Sequence, residues 1–193
     1  MARPREFDTD MAVGRAVDVF WEHGYDGASL PDLLTGMGIA RGSLYKAFTD
    51  KKTLFLLALE RYDRDAVAPA VELLCDPKIA DGWERIRLLF ETAVDAARDG
   101  DRRGCLMCMA AAGPAAVDPD VAAQVDRMLD RMRGGFAAGL AASQGHAWLG
   151  EDAAGALADL LTTHYVGLRV LARSQAPVAA LERSAAALGD FLA

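Results

Sequence analysis

Apolar residues recur along this chain at three- and four-residue intervals, the spacing that gathers them on one side of an α-helix. Ala12, Ala16, Val19 and Phe20 mark a first stripe between about Thr9 and His23, and Gly24 stands where that helix is expected to stop. Two short helices follow, Ser29 to Met37 and Arg41 to Phe48. A longer one from Lys51 carries Leu54, Phe55, Ala58, Leu59 and Tyr62 until Pro69 ends or kinks it. After Asp76-Pro77 the stripe returns as Trp83, Ile86, Phe90 and Val94, and the charged run from Arg98 to Arg103 reads as a loop. The segment GCLMCMAAA, from Gly104 to Ala112, is apolar all round and predicts a fully buried helix, ended by Gly113-Pro114.

Asp118-Pro119 reads as the N-cap and first residue of a helix running to about Ala142, with Val121, Val125, Met128, Leu129, Met132 and Phe136 at helical spacing. Two more are predicted over Asp152 to Arg173 and Pro177 to Leu192. Leu157, Leu160, Leu161, Tyr165, Leu168 and Leu171 line the first; Val178, Leu181, Ala185, Leu188 and Leu192 line the second. No run of alternating β-branched residues competes, and alanine and other helix formers dominate, so the fold class is all-α.

The stretch from Ser29 to Lys52 is the most informative. Ser29 and Asp32 have the spacing of a capping box, Pro31 is tolerated in the first helical turn, and Gly38 can take the left-handed turn that ends the helix. In the next helix Leu44 and Phe48 share one face with Ala47, while Gly42, Tyr45, Lys46 and Thr49 fall on the other. An anchored back and a polar front on the second of two short helices is the layout of a helix-turn-helix, whose second helix fits the major groove of DNA.

Charge sharpens this reading. The chain of 193 residues carries a net −7, which argues against coating nucleic acid through its overall field. Yet residues 33 to 52 hold Arg41, Lys46, Lys51 and Lys52 against the single acid Asp50, a local +3. Any DNA contact must come from that patch. Arg3 and Arg5 precede the first helix on an arm that either touches DNA or is merely solvated. The N-terminus has no apolar core for an export signal, and the uncharged runs are too broken to span a bilayer. Three cysteines without such a signal fit reduced thiols. A soluble cytoplasmic protein, with no membrane partner, is the expectation.

The three-helix unit followed by Asp50-Lys51-Lys52 and a long helix resembles the TetR/AcrR family of bacterial transcriptional regulators. Ala16, Phe20, Gly24, Tyr25, Ser29, Leu33, Gly38, Ile39, Gly42, Ser43, Leu44, Tyr45, Phe48, Lys51, Leu54 and Phe55 carry the likeness, over roughly the first third of the chain. The resemblance implies a DNA-binding domain over residues 1–50 and a helical effector-binding and dimerisation domain over 51–193. It also implies a repressor that binds double-stranded, palindromic operator DNA as a homodimer through its two C-terminal helices, and is released by a small molecule. On the family pattern Tyr45 and Lys51 hold phosphates, Arg41, Ser43 and Lys46 lie at or near base edges, and Ser29, Gly42 and Thr49 complete the DNA-facing set. Ala40 departs from the pattern, standing where a Ser or Thr usually caps the recognition helix, a loss of ~1 kcal/mol. Leu34, Gly36 and Ala47 depart from it too.

The remaining candidate chemistry lies in the C-terminal part. Cys105 and Cys108 form C-x-x-C, a spacing that puts both sulfurs on one helix face; they read as packed thiols, a redox or electrophile sensor, or a soft-metal site, and no further ligands lie nearby in sequence. His164 is either a satisfied core histidine or a polar anchor in a pocket, and His146 reads as a solvated loop residue. Trp83, Phe90, Met107, Met109, Met128 and Met132 fill a core or line an adaptable pocket. The effector-binding set is therefore Trp83, Phe90, Cys105, Cys108, Met109, Met128, Met132 and His164, and release from the operator is expected through such an effector or through thiol modification at Cys105 and Cys108. No catalytic group, metal or cofactor is expected. A helical enzyme or adaptor built on Cys105, Cys108 and His164, without DNA binding, is the alternative.

Overall fold

The computed structural model describes residues 7–192, and side chains as far as residue 189; Arg3 and Arg5 lie outside the described residues. Ten α-helices are present among them, and no strand. α1 (Thr9–Gly27) starts under Asp8, whose carboxylate accepts from the N–H groups of Asp10 and Met11. Gly24 does not end this helix. It takes φ 72° and ψ 174°, bends the chain, and one further turn turns Tyr25 onto Phe55, with ring centroids 4.8 Å apart. Ala16 and Phe20, fully buried, hold α1 against α4.

α2 (Leu30–Met37) and α3 (Arg41–Phe48) follow, then α4 (Lys51–Tyr62). Pro69 kinks the chain rather than stopping it. One wide turn over Asp63–Val67, in which the Ala68 N–H reaches back five residues to the Asp63 carbonyl, accommodates the proline at the start of α5 (Ala68–Cys75).

α6 (Gly82–Arg98), α7 (Leu106–Ala112), α8 (Pro119–Ala141), α9 (Glu151–Arg173) and α10 (Val178–Leu192) form the larger C-terminal part. α8 packs on α5, α6 and α9, and α10 lies on α6 and α9. The core between them is aromatic at its centre, where the Phe90 ring meets Phe136 at 6.1 Å and Tyr165 at 5.4 Å. α7 touches both α1 and α8, so the two ends of the molecule share one continuous apolar core.

Four local expectations change. Cys105 is the N-cap of α7 rather than a residue within it, with Cys108 in the first turn that follows. Ala111 and Ala112 are exposed at the end of a helix otherwise buried at Leu106, Met107, Cys108 and Ala110. On α9, Leu161 and Leu168 point inward, but Leu160 and Leu171 face solvent together with Val170. His146 is buried, with Nδ1 2.9 Å from the Ser143 hydroxyl and its ring 4.6 Å from Trp83. A two-residue slip around a helix, or a loop folded back as one tight turn, is beyond what periodicity resolves.

Candidate nucleic-acid interface and internal cavity

The reading unit begins with a satisfied cap. Ser29 Oγ accepts the Asp32 N–H at 3.3 Å and the Asp32 carboxylate accepts the Ser29 N–H at 2.9 Å. The Ser29 hydroxyl beside it holds the Asp32 carboxyl below the usual carboxylate range. Gly38 ends α2 at φ 68°, a conformation that side chains disfavour, and its N–H closes on the Leu34 carbonyl at 3.0 Å. Arg15 of α1 donates to the Met37 carbonyl at 3.2 Å, tying that corner to the first helix. Gly36, a departure from the family pattern, is where α2 meets α1: a Cβ there would fall 2.4 Å from Val19 Cγ2.

α3 is fastened from behind by Leu44 and Phe48, each 1% exposed, a burial worth roughly 2 kcal/mol apiece. Its other flank is open. Tyr45 is 47% exposed, Arg41, Gly42, Lys46 and Thr49 are exposed, and Ser43 is half-buried. The Arg41 guanidinium lies 5.8 Å from the Tyr45 ring centroid. Ala40 caps α3 without a side-chain hydrogen bond. Thr49, at φ 62°, turns the chain so that Asp50 caps α4 by accepting the Thr53 N–H at 2.7 Å. Ser29 is exposed at the start of α2, its hydroxyl engaged in its own cap.

The two lysines that open α4 differ. The Lys51 ammonium sits over the Tyr25 ring, 4.8 Å from its centroid, where the ring face holds it beside the reading unit. Lys52 instead reaches Asp118 and Asp120 at the start of α8, at 2.7 and 2.8 Å, and these hydrogen bonds raise its pKa. The local positive balance therefore rests on Arg41, Lys46 and Lys51, while Lys52 pins the reading unit to α8. Nothing in the sequence pairs Lys52 with acids so far along the chain.

Between the reading unit and the C-terminal helices lies a cavity of about 250 Å³, walled by Trp21 of α1, Tyr62 of α4, Leu73 of α5, Leu89 of α6, Cys105, Met107, Met132, and Tyr165 and Arg169 of α9. Of the sequence-nominated effector residues, Cys105 and Met132 line it. Cys108 lies outside this lining, hydrogen-bonded to Cys105. Phe90 and Met128 are core, Met109 is half-buried near Gly24, and Trp83 packs on His146. His164 stacks on Phe90 at 5.2 Å with Nε2 3.0 Å from the Ser184 carbonyl oxygen. A larger groove, about 490 Å³, runs between α6 and α10, but its walls are surface side chains such as Arg87, Glu91, Arg98 and Glu182, already ion-paired.

Sequence reasoning did not find Trp21, Tyr62 or Arg169 as cavity residues. Tyr62 O–H donates to Cys105 Sγ at 3.3 Å. Hydrogen bonds from Cys108 first, then Tyr62, lower the Cys105 pKa against the opposing effect of burial, and the bond to Cys105 with burial pushes Cys108 up. Trp21 packs edge-on to Tyr62 at 4.9 Å under the Arg103 guanidinium at 4.0 Å, and its buried Nε1 finds no hydrogen-bond partner among the described residues. Arg173 of α9 donates to the Trp21 and Glu22 carbonyls at 3.1 and 2.9 Å, so α9 caps α1 just before its bend. Among the described residues no group of three or more His, Cys, Asp or Glu is gathered as a metal site requires, and no helix is long and apolar enough to cross a membrane.

Comparison with known proteins places this arrangement. Residues 13–58 match the model of bacterial regulatory proteins of the tetR family. Over 185 residues, 94% of each chain, the sequence is 36% identical to an uncharacterised helix-turn-helix transcriptional regulator of Bacillus subtilis, YezE. It is 43% identical over 77 residues to the Escherichia coli transcriptional repressor ComR, 39% of this chain and 37% of that one. Among solved structures, a cysteine-substituted CifR, a TetR family transcriptional regulator complexed with 26-bp double-strand operator DNA, is similar with TM-score 0.79 and 31% identity. That match covers 96% of this chain and 99% of CifR.

Proposed function

The chain belongs to the TetR family of bacterial transcriptional regulators, and from that premise we propose that it works in the cytoplasm as a homodimeric repressor without catalytic chemistry. Residues 1–50 form the reading unit and residues 51–193 the effector-binding and dimerisation unit. α3 of each protomer enters the major groove of a palindromic operator. Tyr45 and Lys51 hold phosphates, Arg41, Ser43 and Lys46 lie toward base edges, and Ser29, Gly42 and Thr49 flank the contact. The observation that carries this reading is the division of α3, with Leu44 and Phe48 buried behind and Tyr45 and Lys46 open in front. The relative CifR bound to operator DNA supports the same use of the fold.

Leu160, Val170 and Leu171 stand exposed along α9, an apolar face that a second copy would cover together with α10. The walls of the cavity support release by an effector. Trp21 belongs to the reading unit and Tyr165 and Arg169 to α9, so a ligand between them favours a different setting of α1 and α4, and with it a different spacing of the two α3 helices. The alternative of a helical enzyme or adaptor using Cys105, Cys108 and His164 gains no support, because His164 is engaged by Ser184 and Phe90.

The test is a mobility shift of the chain's own upstream DNA. Replacing Tyr45 and Lys51 with Ala should abolish the shift and leave the dimer intact. Loss of dimerisation in that variant, or an unchanged shift, counts against the assignment.

A further inference from the structure

The polar groups that line the cavity beneath Trp21 are not equivalent. Tyr62 spends its hydroxyl on the Cys105 sulfur at 3.3 Å, and Thr92 spends its own on the Leu88 carbonyl at 2.8 Å. Two groups are left over, Tyr165 and Arg169, one turn apart on the same face of α9. The Tyr165 ring meets Phe90 and Phe136 edge-on, which fixes its direction, and no described residue hydrogen-bonds its hydroxyl. Burial pushes its pKa up, so at neutral pH it keeps a proton to donate. Arg169 donates to the Gly104 carbonyl and forms no ion pair among the described residues, which leaves most of its N–H groups unspent. No Asp or Glu stands in the wall. Apart from the Cys105 sulfur, which Tyr62 and Cys108 already engage, the remaining lining is aromatic or aliphatic, as at Trp21, Leu73, Leu89 and Met132. A half-buried cation beside an unspent hydroxyl, both opening on an apolar recess, suits a ligand with one negative charge at one end and an apolar body at the other.

We propose that this cavity binds a small lipophilic monocarboxylate without covalent chemistry, its carboxylate held by Arg169 and the Tyr165 hydroxyl and its apolar body lying against Trp21, Leu73 and Leu89. This rests on the repressor reading and names the effector class of the same cavity. Charge selects the headgroup. One guanidinium balances one negative charge and offers a planar pair of N–H groups that a carboxylate matches, whereas a doubly charged phosphate would keep an uncompensated charge in an apolar recess. Volume selects the body. A protein cavity of roughly 150 Å³ holds benzene, so one of about 250 Å³ takes a single ring, or a short branched chain, together with its carboxyl group. The bound ligand joins α9, through its headgroup, to α1 and α4, through Trp21 and Tyr62, and so bears on the helices that set the reading unit.

Benzoate and 3-methylbutanoate are the probes, with their uncharged amides as controls. Each is titrated into the full-length protein by calorimetry at neutral pH, and each is added to the protein on its upstream DNA in a mobility shift. At least one acid should bind about tenfold more tightly than its amide, and loss of the shift should follow its binding curve. Arg169→Gln should weaken that acid about tenfold and leave the amide unchanged. Tyr165→Phe should weaken it by a smaller factor, and Arg169→Lys, which keeps the charge without the fork, should retain part of the binding. Cys105→Ser should bind the acid as the wild type does. Equal affinity of the wild type for each acid and its amide, or no binding of either acid, would overturn the proposal, and this comparison needs no variant to fold. So would a folded Arg169→Gln protein that binds the acid undiminished, inorganic phosphate bound more tightly than both acids, or an acid bound through Arg169 that leaves DNA in place. A protein that binds the acid through Arg169 yet never shifts DNA fails the repressor reading instead.

Discussion

Tyr45 leaves 47% of an aromatic side chain in water on a helix whose other large apolar residues are 1% exposed. A fold gains little from that, whereas a phosphate or sugar contact does. Tyr45→Phe should therefore weaken operator binding by roughly 1 kcal/mol, the scale of one hydrogen bond, while the thermal midpoint stays unchanged. Lys46→Ala should reduce the slope of log affinity against log salt by about 1 per phosphate neutralised, or relax preference at one base pair if it reads an edge. Titrating both variants against operator at several salt concentrations distinguishes these. At Ala40 the expectation concerns stability: Ala40→Ser supplies the missing cap of α3 and should raise unfolding free energy by about 1 kcal/mol, measured by denaturant titration. Legibility at this scale followed sequence distance. The Ser29–Asp32 cap, the Gly38 turn and the two faces of α3 are set within a few residues and were plain from the sequence. The Tyr62 partner of Cys105 and the partners of Trp21 and Lys52 come from helices far along the chain, and no local pattern encodes them.

Helix boundaries were legible to within a residue or two where Asp8, Asp50, Asp81 and Asp118 cap them. Bends were harder to read, because Gly24 and Pro69 each break one hydrogen-bonding pattern and only the packing around them decides whether the helix resumes. The joint between α4 and α8 has its own pH dependence. The Asp118 carboxyl is held below its usual 3.8, first by its hydrogen bond to Lys52. A depressed carboxylate contributes stability above its unfolded pKa and loses it as pH falls through the folded one, so the tie to α8 is present at neutral pH and fades below 3.8. Asp118→Asn keeps an N-cap side chain and removes the charge. It should lower the thermal midpoint slightly at neutral pH and leave a smaller difference from wild type in strong acid, as thermal unfolding across pH would record. The effect is small because Lys52 is itself 37% exposed.

At the scale of the molecule, the reading unit and the C-terminal helices meet where α7 packs on α1, at Lys52 on α8, at Arg173 on the end of α1, and at the cavity wall that Trp21 shares with α9. The all-α class was evident from helical periodicity and the reading unit from the motif, whereas these contacts depend on tertiary packing alone. The outward row Leu160, Val170 and Leu171 makes its own forecast. Val170→Glu should yield a folded, helical monomer in sedimentation analysis, with operator affinity reduced far more than by any single α3 substitution, because one reading head is lost from each complex. The most direct test of the central claim is a hydroxyl-radical footprint of the protein on its upstream DNA. Two protected patches on one face of the duplex, separated by about one turn or roughly 34 Å, and both erased by Tyr45→Ala with Lys46→Ala, are the predicted result. A footprint that survives those substitutions, or no protected patch at all, would contradict it.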